Sequence, residues 1–180
     1  VYEEVFGIPA DRFLTYGMPR LDGFLEPETI AKTRAKVYAE YPMLEGKKVI
    51  LFAPTFRGTV QEDAVYDYDQ LDFDRIYDFC GDEYIFAVKM HPFIKEPAPI
   101  RESQKDRIID LTKYQNINDL YYVTEIMITD YSSAFYEFAL MKKPVLFFTY
   151  DRENYELVRG VHRKVKENAP GRVCDSFEEL

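Results

Sequence analysis

The chain has 180 residues, 47% of them apolar and 16% aromatic, enough to bury one core of ordinary domain size, which argues against a disordered segment. Its formal net charge is −9, from 32 acidic and 23 basic side chains, and no dense Lys/Arg run could track a nucleic-acid backbone, so nucleic acid is not an expected partner. No apolar stretch reaches the roughly 20 residues that span a bilayer and no basic-then-apolar leader is visible, so these residues are expected to be soluble. Cys80 and Cys174 lack metal-ligand spacing and are too few for a disulfide scaffold, which fits a reducing compartment.

The first stretch, VYEEVFGIPADRF, reads as the end of a helix already under way, closing at Gly7 with Pro9 behind it. RFLTYG (12–17) predicts a short strand ending in a Gly-x-Pro turn. EPETIAKTRAKVYAEYP then predicts a helix, with Pro27 at a first helical position and Pro42 just past its end. KKVILFAP (47–54) is continuously apolar without alternation, as expected of a strand buried on both faces. FDRIYDFCGD (73–82) returns to helical spacing, with Phe73, Ile76, Tyr77 and Cys80 on one side. YIFAVKMHP (84–92) is the next strand. After it come the short RIIDL (107–111), a brief helix around INDLYYV (117–123), the strand EIMIT, a helix from Ser132 and the strand PVLFFTY (144–150). At the far end Ser176-Phe177-Glu178-Glu179 has the Ser-x-x-Glu form of a capping box, predicting a helix start. Both ends therefore read as cuts through a longer protein.

Strands and helices that take turns imply right-handed crossovers: an α/β fold, a Rossmann-like parallel sheet with helices on both faces. Ligands of such sheets sit beyond the carboxyl ends of the strands, near the reversal of strand order. Thr55, Phe56 and Arg57 follow one strand, Lys89, Met90, His91 and Pro92 the next, Thr129 to Ser133 the third, and Thr149, Tyr150 and Asp151 the fourth. An acidic chain thus places an Arg, a Lys and a His at one edge, where the local field favours an anion. Lys89 and His91 are two apart on a strand and can converge, with Pro92 holding His91 extended. His91 suits either a hydrogen-bonded structural place or a functional one. His162 lies in a charged stretch and reads as solvated surface.

At Thr129-Asp130-Tyr131-Ser132-Ser133 a buried strand hands over to a helix. Unpaired N–H groups and the hydroxyls of Ser132 and Ser133 can hold a phosphate there; equally, Asp130 or Ser132 can simply cap the helix. Glu137, one turn further, can reach ribose hydroxyls or face solvent. Arg57 can donate two hydrogen bonds to a phosphate or merely meet water.

These motifs, in this order, resemble the CDP-glycerol glycerophosphotransferases, the teichoic acid primases and polymerases. The residues that carry the resemblance are Gly17-Met18-Pro19-Arg20-Leu21-Asp22, Ala53-Pro54-Thr55-Phe56-Arg57, Lys89-Met90-His91-Pro92, Asn118-Asp119-Leu120-Tyr121, Ile128 to Ser133, Arg159-Gly160 and Ala169-Pro170-Gly171. The resemblance implies that residues 1–180 are the C-terminal, nucleotide-binding half of a two-domain GT-B enzyme. Such enzymes transfer glycerol phosphate from CDP-glycerol to a teichoic acid or lipid-linked acceptor and release CMP. It further implies His91 as the catalytic histidine at the diphosphate. Arg57, Lys89, Thr129, Asp130, Ser132, Ser133 and Glu137 follow as substrate-binding residues, with no cofactor and no obligatory metal. The base for the acceptor hydroxyl would belong to a missing N-terminal domain. The whole enzyme would sit peripherally on the cytoplasmic face of the membrane, attached through regions outside this chain. The sequence departs from the family pattern at Phe56, where Trp is common, at Tyr136-Glu137-Phe138, and at Val161-His162-Arg163-Lys164, which leaves a ribitol or other polyol donor open. A nucleotide-sugar GT-B enzyme and a non-catalytic α/β domain are the competing readings.

Overall fold

The computed structural model describes residues 2–161 and 163–180; His162 lies outside the described residues. Its helices are α1 (Tyr2–Phe6), α2 (Pro27–Glu40), α3 (Phe73–Cys80), α4 (Ile117–Tyr121), α5 (Ala134–Phe138), α6 (Arg152–Val158) and α7 (Val165–Asn168). The strands are β1 (Lys48–Phe52), β2 (Tyr84–Val88), β3 (Ile108–Asp110), β4 (Thr124–Thr129), β5 (Val145–Phe148) and β6 (Arg172–Cys174). They form one sheet in the order β3-β2-β1-β4-β5-β6, and every neighbouring pair is parallel. From β1 the chain steps outward to β3, then returns to the other side of β1 and steps outward again to β6. The crevice between the carboxyl ends of β1 and β4 is therefore the point of reversal.

The continuous apolar run of β1 follows from burial on both faces. Val49 and Leu51 pack with Val37 of α2, Leu120 and Tyr121 of α4 and Phe138 of α5. Ile50 and Phe52 face the opposite layer, with Phe73, Ile76 and Cys80 of α3. Helix α2 starts on Pro27 and ends where Pro42 can no longer donate; α3 is capped by Asp72, which accepts from the Asp74 and Arg75 amides at 3.0 Å, and it closes at Gly81.

Three local readings need correction. RFLTYG is not a strand: Ala10–Arg12 is a 3-10 turn and residues 13–18 are irregular, with Leu14 and Tyr16 exposed. A strand exists only where a neighbouring strand accepts its hydrogen bonds, and residues 12–17 pair with none of the six strands of the sheet. The helix placed at Ser132 begins at Ala134 and is only five residues long before a 3-10 turn, Ala139–Met141. At Ser176 there is a single turn, with the Glu179 carboxylate accepting from the Asp175 amide at 2.8 Å, rather than a helix. The sequence reading also passed over α6, α7 and β6, which lie in charged surroundings with little apolar periodicity. Gly171 is what lets β6 close on β5: a Cβ there would lie 1.9 Å from the Val145 carbonyl oxygen.

Candidate functional site

Arg57 follows β1 and reaches across the strand-order reversal. Its Nε and Nη2 donate to the two carboxylate oxygens of Asp151 at 2.7 and 2.9 Å, and its Nη1 donates to Asp130 at 2.7 Å and to the Thr55 carbonyl at 3.0 Å. The guanidinium is enclosed by the rings of Tyr66, Tyr131, Tyr150 and Tyr155, each 5.2–5.4 Å from it, a desolvated cation–π setting. Tyr131 stacks on Tyr155 at 3.8 Å and donates its hydroxyl to Asp151. The hydroxyls of Tyr66 and Tyr150 are buried and have no hydrogen-bond partner among the described residues, so their contribution to the cage is the ring itself.

Asp130 is buried at the end of β4 and accepts from the Thr55 amide, the Thr55 hydroxyl, the Tyr131 amide and Arg57. Burial pushes its carboxyl above the usual carboxylate range, opposed by Arg57 and the two amides. Thr129 is also buried, its hydroxyl donated to the Ala53 carbonyl at 2.8 Å. The structure therefore turns Arg57, Thr129 and Asp130 inward, tying the ends of β1, β4 and β5 together.

His91 faces a different neighbourhood. Its Nδ1 accepts the Phe93 amide at 3.2 Å, which leaves the proton of the neutral ring on Nε2. The imidazole packs against Phe93 and Phe56, ring centroids 4.6 and 4.8 Å away. On Phe56 also lies the guanidinium of Arg159, 4.6 Å from the ring centre. Partial burial, then the charges of Lys89 and Arg159, hold the His91 imidazolium below the usual histidine value. Lys89 itself is buried; its Nζ donates to the Thr112 carbonyl at 3.0 Å, and burial pushes its ammonium down against the pull of Asp110. Lys89 and His91 thus share an electrostatic neighbourhood, while the lysine side chain reaches sideways to the loop after β3. Sequence reasoning left Arg159 without a role; its only signal was the Arg159-Gly160 pair.

The turn after Asp130 supplies the other half of the edge. The Ser132 hydroxyl accepts from the Ala134 amide at 3.2 Å, whereas the exposed Ser133 side chain caps nothing and the amides of Ser132 and Ser133 have no partner among the described residues. Because α5 is so short, these donors rather than a helix dipole are what the turn offers an anion. They border a cleft of about 290 Å³, whose other walls are Phe135, Tyr136, Tyr155, Gly160, Val161 and Arg163. Glu137 is held by an ion pair with Arg20, which joins the Gly17 to Asp22 stretch to α5.

A parallel sheet with donors on either side of its reversal point is suited to an anion, and comparison with known proteins gives its family. Residues 1–180 match the protein family described as CDP-Glycerol:Poly(glycerophosphate) glycerophosphotransferase. The chain belongs to this family. It is 41% identical over 179 residues to the teichoic acid poly(ribitol-phosphate) polymerase of Bacillus spizizenii (strain ATCC 23059 / NRRL B-14472 / W23), covering 99% of this chain and 29% of that protein. With the teichoic acid glycerol-phosphate primase of the same strain it shares 37% identity over 177 residues, 97% of this chain and 43% of the primase. Among solved structures, the wall teichoic acid polymerase TagF in a variant soaked with CDPG superimposes with a TM-score of 0.80 at 26% identity, covering 97% of this chain and 43% of that one. The fold is thus that of TagF, a GT-B-like α/β sheet. The chain spans 29% to 35% of the length of three ribitol-phosphate polymerases it matches.

Among the described residues, no group of three or more His, Cys, Asp or Glu side chains could hold a metal ion. No helix among them is long and apolar enough to cross a membrane. Cys80 and Cys174 are both buried thiols.

Proposed function

We propose that this chain is the donor-binding domain of a glycerophosphotransferase that moves glycerol phosphate from CDP-glycerol to a teichoic acid or lipid-linked acceptor. The observation that carries this reading is the family match over residues 1–180. The diphosphate of the donor lies between His91 and the Ser132–Ser133 turn. The acceptor hydroxyl attacks the β-phosphorus in line; a new O–P bond forms, the P–O bond to CMP breaks, and the proton of the hydroxyl passes to a base outside this chain. Nε2–H of His91 donates to a diphosphate oxygen as charge builds on the leaving CMP, and the hydroxyl and amide of Ser133 donate from the other side. Each such donor is worth on the order of 2–4 kcal/mol in a dry cleft. Lys89 adds positive potential from its buried place, and Glu137, steadied by Arg20, stands near enough to the turn to meet the ribose. Thr129, Asp130 and Arg57 act from behind, keeping the turn in place. The acceptor base belongs to an N-terminal domain, and the whole enzyme works at the cytoplasmic face of the membrane through parts outside these residues.

Calorimetric titration with CDP tests the site. The expected result is weak binding by the wild type and at least tenfold weaker binding by His91→Ala and Ser133→Ala. Equal binding by all three would remove the site assignment. A second reading, with a CDP-ribitol donor, is favoured by the 41%, 35% and 36% identity to three ribitol-phosphate polymerases. Competition of CDP-glycerol and CDP-ribitol against bound CDP separates the two: the tighter competitor is the donor.

A further inference from the structure

Arg159 differs from three other arginines at this edge of the sheet, and shares with Arg163 of the cleft wall the lack of an ion pair among the described residues. Arg57 is bound to Asp130 and Asp151, Arg152 to Asp175, and Arg20 to Glu137. Arg159 has no carboxylate partner among the described residues, in a chain with 32 acidic side chains. It is nevertheless held in place. Its guanidinium lies on the Phe56 ring, whose centroid is also 4.8 Å from that of His91. Its Nη1 donates to the Gly58 carbonyl at 2.6 Å and to the Thr59 carbonyl at 3.3 Å. That loop is closed by Asp63, which accepts from the Thr59 and Val60 amides at 2.8 Å. One nitrogen and the stacked face are thus occupied, while Nε and Nη2 carry no hydrogen bond among the described residues. A planar guanidinium fixed in this way, with one edge unfilled, is suited to a phosphate. The next residue, Gly160, has φ 73° and lines the cleft beside Ser132 and Ser133. Arg159 therefore bridges the two halves of the site, and its charge adds to that of Lys89 in disfavouring a second cation at His91.

We infer that Arg159 is a substrate-binding residue, its free edge holding, together with His91, the terminal phosphate of a nucleoside diphosphate. This rests on the donor-site reading above and adds a ligand to it.

The test is calorimetry with CDP and CMP on wild type, Arg159→Ala and Arg159→Lys, alongside His91→Ala. Arg159 is exposed, so its variants are expected to melt at the wild-type temperature. Arg159→Ala is expected to lose about ten- to hundredfold in CDP affinity and less than about threefold for CMP, with Arg159→Lys between it and wild type. Unchanged CDP binding by both Arg159 variants, with His91→Ala weakened, overturns the Arg159 assignment alone. Unchanged binding by His91→Ala as well overturns the donor site on which it rests. Equal losses for CDP and CMP overturn the assignment to the terminal phosphate.

Discussion

Nδ1 of His91 is committed to the Phe93 amide, so protonating the ring sets two N–H groups against each other, and Lys89 and Arg159 stand close enough to oppose a further positive charge. The folded state therefore holds this histidine neutral below its ordinary value of ~6.5. As pH falls through that value the unfolded chain takes the proton first, so His91 withdraws stability progressively below ~6.5 and leaves it unaffected above. An NMR titration is expected to find His91 titrating below the reference value as the Nε2–H tautomer, with Lys89→Met moving the midpoint up. A midpoint at or above the reference, or one indifferent to Lys89, contradicts this account. On the proposed reading, the consequence for chemistry is that His91 acts at neutral pH as a neutral donor.

At the scale of elements, the Arg57 cage joins β1 to β4 through Asp130 and to the start of α6 through Asp151, and the end of α6 leads through Arg159 to Gly160, which lines the cleft. Arg57→Met removes one partner of a buried charge pair and leaves Asp130 uncompensated. It is expected to cost about 3–5 kcal/mol, read as a lower urea midpoint. A loss below about 1 kcal/mol would mean that the tyrosines and the amide donors to Asp130 hold the edge without the guanidinium. At the β5–β6 seam, Gly171→Ala drives a Cβ into the Val145 carbonyl oxygen, and about 1–3 kcal/mol of destabilisation is expected in the same assay. Wild-type stability in that variant would show that β6 can shift freely. Much of this architecture was legible beforehand. Residues that alternate between two covered faces, as in β1, β2 and β4, announce themselves as long apolar runs, and prolines and capping aspartates bound the helices between them. The role of Arg57 was not legible, because its partners lie 73 and 94 residues away and leave no local pattern. RFLTYG misled for a related reason: strand propensity is local, but a strand exists only if a neighbour accepts its hydrogen bonds. The short elements α7 and β6 carry too few apolar residues for any period to show.

Over the whole molecule, the sheet sets the function by where it places the ends of its strands. The long core strands are buried on both faces and resist distortion, so His91 beyond β2 and Ser132–Ser133 beyond β4 keep their separation on either side of β1. The chain carries net charge −9, yet along this edge the carboxylates nearest the cleft are matched by arginines, so the positive field there comes from Arg159, from Arg163 in the cleft wall and from the buried Lys89. On the proposed reading this arrangement lets an acidic protein hold a diphosphate, and it makes the position of that diphosphate the central claim. The most direct measurement is a crystal structure of the protein with CDP. The account predicts the diphosphate between Nε2 of His91 and the Ser132–Ser133 amides, with the nucleoside in the cleft beside Gly160. Density for CDP elsewhere on the molecule, or a diphosphate out of reach of both His91 and Ser133, would contradict it.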